Sequence, residues 1–226
     1  MKTNLIEYEI MREDIDELIY QSYLDALLAG DRTQCASIVH KLMAAGANLK
    51  DMYIQLFQRS LYQIGEMWEM RLISVAVEHL ATAITERMLS LVQAQVFDGP
   101  LRSQSIIIAC IAGEHHQIGA RMAADLCELL GWRCYFLGAN TPLPDLLQLI
   151  EERRPTMLGL SLCLGSRLPT LFKSLDTIRS ASPDLPILLG GQAFRRGGMA
   201  AAQAYPNVSC LSSLDELEQR IRSHEQ

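Results

Sequence analysis

Ser105-IIIACIAGEHHQI-Gly119 is the stretch that decides how this chain folds. A run of apolar, mostly β-branched residues ends at Gly113 and gives way to a polar turn carrying Glu114, His115 and His116, after which Gly119 opens a helical pattern. An Ile-rich run too short for a helix reads as a strand covered on both faces, and such strands belong to parallel sheets. Loops at the carboxyl ends of parallel strands are where ligands bind in open α/β sheets. A histidine on such a loop is either a surface residue or a metal ligand whose second ring nitrogen donates to a nearby carboxylate.

Downstream, strands and helices alternate. Strands are expected at 105–111, 133–137, 157–162, 187–189 and 208–211, with helices at 119–130, 142–152, 170–180 and 213–223. These β-α units predict a five-stranded, doubly wound parallel sheet in the flavodoxin-like strand order. In that order the turns after strands one, three and four share one edge, which gathers Glu114 to Gly119, Ser161 to Gly165 and Gly190 to Gln192. The glycine pair leaves that edge bare of side chains.

Upstream, residues 14–97 read as helices. Apolar residues recur at helical spacing from Ile15 to Leu28, and Gly30 stops them. Asp31, Asn48 and Ser74 stand where caps of three further helices are needed, giving a four-helix up-down bundle. Gly99-Pro100 cannot continue a helix, so the bundle occupies 1–97, a linker 98–104 and the sheet domain 105–226.

Composition narrows the function. Twenty basic against 26 acidic residues give a formal charge of -6, with no basic cluster to bind nucleic acid. The N-terminus lacks a basic-then-apolar signal, and no uncharged apolar run approaches the roughly 18 residues of a membrane span, so a cytoplasmic protein is expected. Six cysteines without C-x-x-C spacing suggest reduced, buried thiols.

Spacing sharpens the loop's meaning. Glu114-x-His116-x-x-Gly119, then 41 residues to Ser161, then 26 between Cys163 and Gly190-Gly191, resembles the D-x-H-x-x-G, S-x-L, G-G signature of cobalamin-binding domains. The helical half is similar to the bundle cap that precedes this domain in methionine synthases, corrinoid methyl carriers and cobalamin-dependent photoreceptor regulators. The resemblance implies that His116 replaces the cofactor's dimethylbenzimidazole as lower cobalt ligand, with Glu114 as its hydrogen-bond partner. It places Ser161 beside the displaced nucleotide tail and Gly190 and Gly191 along the tail's channel. Glu114 stands where the family has Asp, and its extra methylene suggests a looser or indirect bond to the imidazole. Cys163 stands where the family has Leu, keeping an apolar contact with less volume. Adjacent His115 competes for the cobalt only out of register.

In the bundle, Trp68 is followed by nine residues and then Glu78-His79, which resembles the W-x9-E-H motif of adenosylcobalamin photoreceptors. The expected turn brings the three to one end of the bundle. Trp68 then reads either as core or as a plate over the cofactor's upper face, with Glu78 and His79 beside the adenosyl group. Some photoreceptors carry a histidine directly after this tryptophan; here it is Glu69, leaving His79 as the nearer second ligand.

The resemblance implies a light-responsive regulator that holds adenosylcobalamin. The bundle begins within about twenty residues of Met1, so output is expected through a separate protein, such as a transcription regulator, or through self-association. Two alternatives stay open: a corrinoid methyl-carrier subunit of a methyltransferase system, and a haem sensor on the same fold. Arg195 and Arg196 are either partners for the tail phosphate or solvated charges.

Overall fold

The computed structural model describes residues 15–93, 101–194, 202 and 204–224. Arg195 and Arg196, and part of the expected linker, lie outside them. The chain divides into two compact units, 1–95 and 96–226.

The first unit is helical because its apolar residues keep helical spacing between caps. Helix α1 (Glu17–Leu28) starts where the Asp16 carboxylate accepts from the Leu18 N–H, and α2 (Arg32–Ala44) where Asp31 accepts from the Gln34 N–H at 2.9 Å. Each such cap contributes about 1 kcal/mol. The third helix runs continuously over 49–69 from its cap Asn48, in three segments: Leu49–Asp51, a π-helical Met52–Gln58, and Arg59–Glu69. We call it α3. It ends without a glycine: Arg71 takes a left-handed φ of 60°, while the Leu72 N–H bonds to the Met67 carbonyl at 2.8 Å. Helix α4 (Val75–Val92) is capped by Ser74, whose hydroxyl accepts from the Val77 N–H.

The inward stripes meet in a core of Tyr23, Leu27, Val39, Leu56, Phe57 and Leu89, all fully buried. Each such side chain is worth about 1.5–3 kcal/mol. Phe57 stands at its centre, 5.9 Å from the Tyr23 ring and 6.0 Å from that of Tyr53.

The second unit runs β1 (Ser105–Cys110), α5 (Ile118–Leu129), β2 (Arg133–Gly138), α6 (Leu143–Arg153), β3 (Met157–Ser161), α7 (Leu168–Ala181), β4 (Ile187–Gly190), β5 (Val208–Cys210) and α8 (Leu214–Ser223). A 3-10 turn, Gly165–Arg167, leads into α7. All strand pairs are parallel, in the order β2-β1-β3-β4-β5. This is the expected flavodoxin-like order, and its switch point lies between β1 and β3.

Side chains alternate across β1, β3 and β4. One set (Ile107, Leu158, Leu160, Ile187, Leu189) packs on Leu146 of α6 and Leu171, Leu175 and Ile178 of α7. Helices α5 and α8 contact each other, and α5 packs on β1, β2 and β3. The fully buried Trp132 lies 6.1 Å from the His224 ring just past α8. Register brings Cys110, Ser161 and Gly190 into line at the carboxyl ends of β1, β3 and β4. The six cysteines are free; Cys35, Cys110 and Cys127 are buried and the other three half-buried.

Candidate cobalt-ligand site

The turn after β1 is built to hold one carboxylate inside the protein. Gly113 takes a φ of +81°, a conformation that L side chains rarely adopt, and the Glu114 N–H closes the turn on the Ile111 carbonyl at 2.9 Å. The loop after β2 braces it: Asn140 accepts the Gly113 N–H at 2.8 Å through its side chain and donates its own N–H to the Glu114 carbonyl at 2.8 Å. Gln117 accepts the Ala139 N–H at 3.1 Å.

Glu114 is fully buried. Its Oε1 accepts from the His116 N–H at 2.8 Å and lies 2.5 Å from His116 Nδ1, while Oε2 accepts from the N–H groups of Cys163 at 2.8 Å and Leu164 at 3.2 Å. Burial pushes this carboxyl's pKa up, but the imidazole and the three backbone donors outweigh burial and hold it at about 2. The group is therefore a carboxylate at neutral pH, and the imidazole bond runs from Nδ1–H to Oε1. The expectation of a loose or indirect bond is corrected. The extra methylene does not slacken the contact: the carboxylate bonds directly to the histidine and also accepts from the loop after β3.

That bond sets the chemistry His116 can offer. With Nδ1 given to Glu114, a metal on this imidazole takes Nε2, and the carboxylate fixes the tautomer and raises the basicity of the ligating nitrogen. The side chain is 54% exposed, at the sheet edge where ligands bind in this topology. Ligand atoms of Glu114, His116 and Cys163 all lie within 4.8 Å of one another. Glu114 nevertheless has its four acceptor positions filled by His116, Cys163 and Leu164, which leaves its oxygens none to offer a metal. Burial pushes the Cys163 thiol up to about 11, so it is neutral at physiological pH.

The remaining residues fall as follows. Ser161 is buried between Cys110 and Gly190 in the strand register. Gly119 lies in the first turn of α5, with open space where a side chain would start, and so does Gly190 at the end of β4. Gly191 is different: at φ +110°, an added Cβ would sit 2.3 Å from the Leu162 carbonyl oxygen. Of the two glycines expected to clear room for a ligand, Gly190 has open space beside it, whereas Gly191 faces the Leu162 backbone of the loop after β3. His115 is exposed.

In the helical unit, Trp68 is 47% exposed in the last turn of α3, so its ring is not part of the buried core. Met70, Leu72, Val75 and Leu80 are exposed as well. Glu78 lies in the first turn of α4, 2.5 Å from His79 Nδ1 and accepting from the Thr82 hydroxyl at 3.1 Å.

Three features escaped the sequence reading: the Asn140 brace, the two N–H donors at 163 and 164, and Gly191's contact with Leu162. The left-handed φ of Asn140 (52°) is the one with a signal, since Asn before Thr-Pro after a strand marks a turn.

Two models of the B12 binding domain match the chain, over residues 19–93 and 104–206. Among characterised proteins, the chain is 32% identical over 178 residues to the HTH-type transcriptional repressor CarH of Myxococcus xanthus, covering 77% of this chain and 58% of that repressor. It is 32% identical over 125 residues to the repressor CarA of the same organism, covering 54% of this chain and 42% of CarA. The chain thus spans about half the length of these curated relatives. In fold it is similar to the Methanosarcina barkeri monomethylamine corrinoid protein, with a TM-score of 0.78, 12% identity, and coverage of 92% of this chain and 98% of that one. No helix among the described residues is long and apolar enough to cross a membrane. Of the two cofactor classes open from the sequence, the matching models name the corrinoid, and an imidazole with its Nδ1 held by a buried carboxylate suits a cobalt ligand. Across both of its compact units, the chain belongs to the B12-binding domain family.

Proposed function

We propose that this protein is a light-responsive regulator that holds adenosylcobalamin with His116 Nε2 as the lower cobalt ligand. The observation that carries the ligand assignment is the 2.5 Å contact between His116 Nδ1 and a fully buried, four-fold satisfied Glu114. Such a carboxylate pre-sets ring orientation and tautomer, which is what a histidine needs in order to replace the cofactor's own base. Gly190 leaves open space at the strand ends for the nucleotide tail, beside Ser161. Trp68, Glu78 and His79 are assigned to the adenosyl side, supported by their spacing and by the exposure of the tryptophan. When bound, the cofactor supplies a light-sensitive cobalt–carbon bond, and a protein that binds its two forms unequally shifts between two arrangements.

The similarity to CarH, which at 77% of this chain extends into the helical unit, supports regulation over catalysis. Output is assigned to a protein partner such as a separate transcription regulator, or to self-association, because a chain of net charge -6 with no cluster of lysines and arginines in its sequence is poorly suited to DNA. The second reading, a corrinoid methyl-carrier subunit, is favoured by the fold match to the monomethylamine corrinoid protein. Purified protein loaded with adenosylcobalamin decides between them: its absorption spectrum changes under green light if the sensor reading is right. A light-stable spectrum, with methyl transfer from a donor enzyme, establishes the carrier.

A further inference from the structure

The 3-10 turn after β3 sends one cation back over the ligand loop. The guanidinium of Arg167 lies against Gly113: its Nη1, Cζ and Nε atoms are 3.0, 3.1 and 3.4 Å from the position a Cβ on that glycine would occupy. Three atoms at nearly equal distance mean that the guanidinium plane faces the bare Cα, so a side chain at 113 would displace it. Gly113 immediately precedes Glu114 and stands three residues before His116.

Arg167 is exposed and, beyond this packing against Gly113, has no polar side-chain partner among the described residues. The obvious anion, Glu114, is already filled by His116, Cys163 and Leu164. The segment that carries Arg167 is fixed at its start by the Leu164 N–H on Glu114 and turned by the Arg167 N–H on the Leu164 carbonyl at 3.0 Å. A planar fork of five N–H donors is thus laid across the turn that presents the ligand histidine.

We infer that Arg167 is a further corrinoid-binding residue, donating hydrogen bonds to oxygen acceptors on the cofactor's periphery. This rests on the corrinoid reading above. Two parts of the cofactor offer such oxygens, the carboxamides of the corrin rim and the phosphodiester of the nucleotide tail. The flat guanidinium suits either, since both accept paired N–H donors.

The test titrates wild-type protein, Arg167→Ala and Arg167→Lys with cobalamin and with cobinamide, which lacks the tail, following corrinoid absorption. An exposed side chain without partners can be removed without unfolding, which a thermal melt checks. The expected result is binding about tenfold weaker for Arg167→Ala, the size of one lost charged hydrogen bond, with the histidine-ligated spectrum of the bound form retained. Equal losses for both corrinoids place the contact on the rim amides. A loss confined to cobalamin, partly restored by Arg167→Lys, places it on the phosphodiester. Arg167→Ala binding both within twofold of wild type overturns the inference and leaves the corrinoid reading standing. Wild-type protein that binds neither corrinoid overturns both.

Discussion

Replacing Glu114 with Gln tests the pinned carboxylate in its own terms. The carboxyl's ordinary pKa of 4.5 falls to about 2 in the folded protein, a difference of about 3 kcal/mol. Because the folded value is depressed, this stabilisation is present in full above about pH 4.5 and is lost as pH falls towards 2, where the unfolded chain takes up the proton first. Glutamine keeps the shape but turns an N–H2 group towards backbone N–H donors and removes the charge. The variant is therefore expected to lose about 3 kcal/mol at pH 7, which for a urea dependence of about 1.5 kcal/mol per molar lowers the midpoint by about 2 M. The chain has two tryptophans, Trp68 in the helical unit and the fully buried Trp132 in the sheet unit. In a Trp68→Phe background, urea unfolding followed by Trp132 fluorescence on cofactor-free protein reports the sheet unit alone. The gap between Glu and Gln should close as pH is lowered from 5 to 2.5. A gap below about 0.5 kcal/mol at pH 7, or one that does not vary with pH, refutes the assignment of those four hydrogen bonds to an ionised carboxylate.

The glycine pair should separate by mechanism. Gly191→Ala meets the Leu162 carbonyl at 2.3 Å in a left-handed backbone and is expected to cost more than about 3 kcal/mol, read as a lowered melting temperature. Gly190→Ala meets nothing within 4 Å, so its stability should stay within about 1 kcal/mol while cobalamin affinity falls, measured by titration against cobinamide as control. Trp68→Ala removes a half-exposed side chain and should change stability by no more than about 1 kcal/mol, yet it should slow or abolish the green-light spectral change. A Trp68→Ala protein that unfolds outright would show that the ring belongs to the core after all.

Much of this arrangement is legible in the chain before folding. The Ile-rich run from Ser105, the glycine breaks and the spacing of β-α units dictate a parallel sheet, and parallel order places the loops after β1, β3 and β4 on one edge. Caps at Asp31, Asn48 and Ser74 are local chemistry and appear where their residue types stand. What stays hidden depends on distances between remote segments. The reach of Glu114 to Cys163 and Leu164 spans about 50 residues of sequence and becomes visible only when β1 and β3 lie in register. The sequence alone suggests that the methylene of Glu114 loosens its bond to the imidazole, whereas the folded carboxylate bonds directly to both loops. Gly191 looks like ligand space until the Leu162 backbone is beside it. The π-helical turn of α3 and the left-handed Arg71 that ends it leave no trace in a period of 3.6, because they are settled by packing in the bundle.

The central claim is that His116 supplies the cobalt's lower nitrogen, and nitrogen isotopes test it directly. Protein grown with 15N-histidine and loaded with 14N-cobalamin is reduced to the cobalt(II) form, and its electron paramagnetic resonance spectrum is recorded. Coordination through His116 predicts that each high-field cobalt line splits into the doublet of a 15N ligand, and that the doublet disappears in His116→Ala. A triplet from 14N in the labelled wild-type protein would mean that the cofactor keeps its own base, and would contradict the assignment.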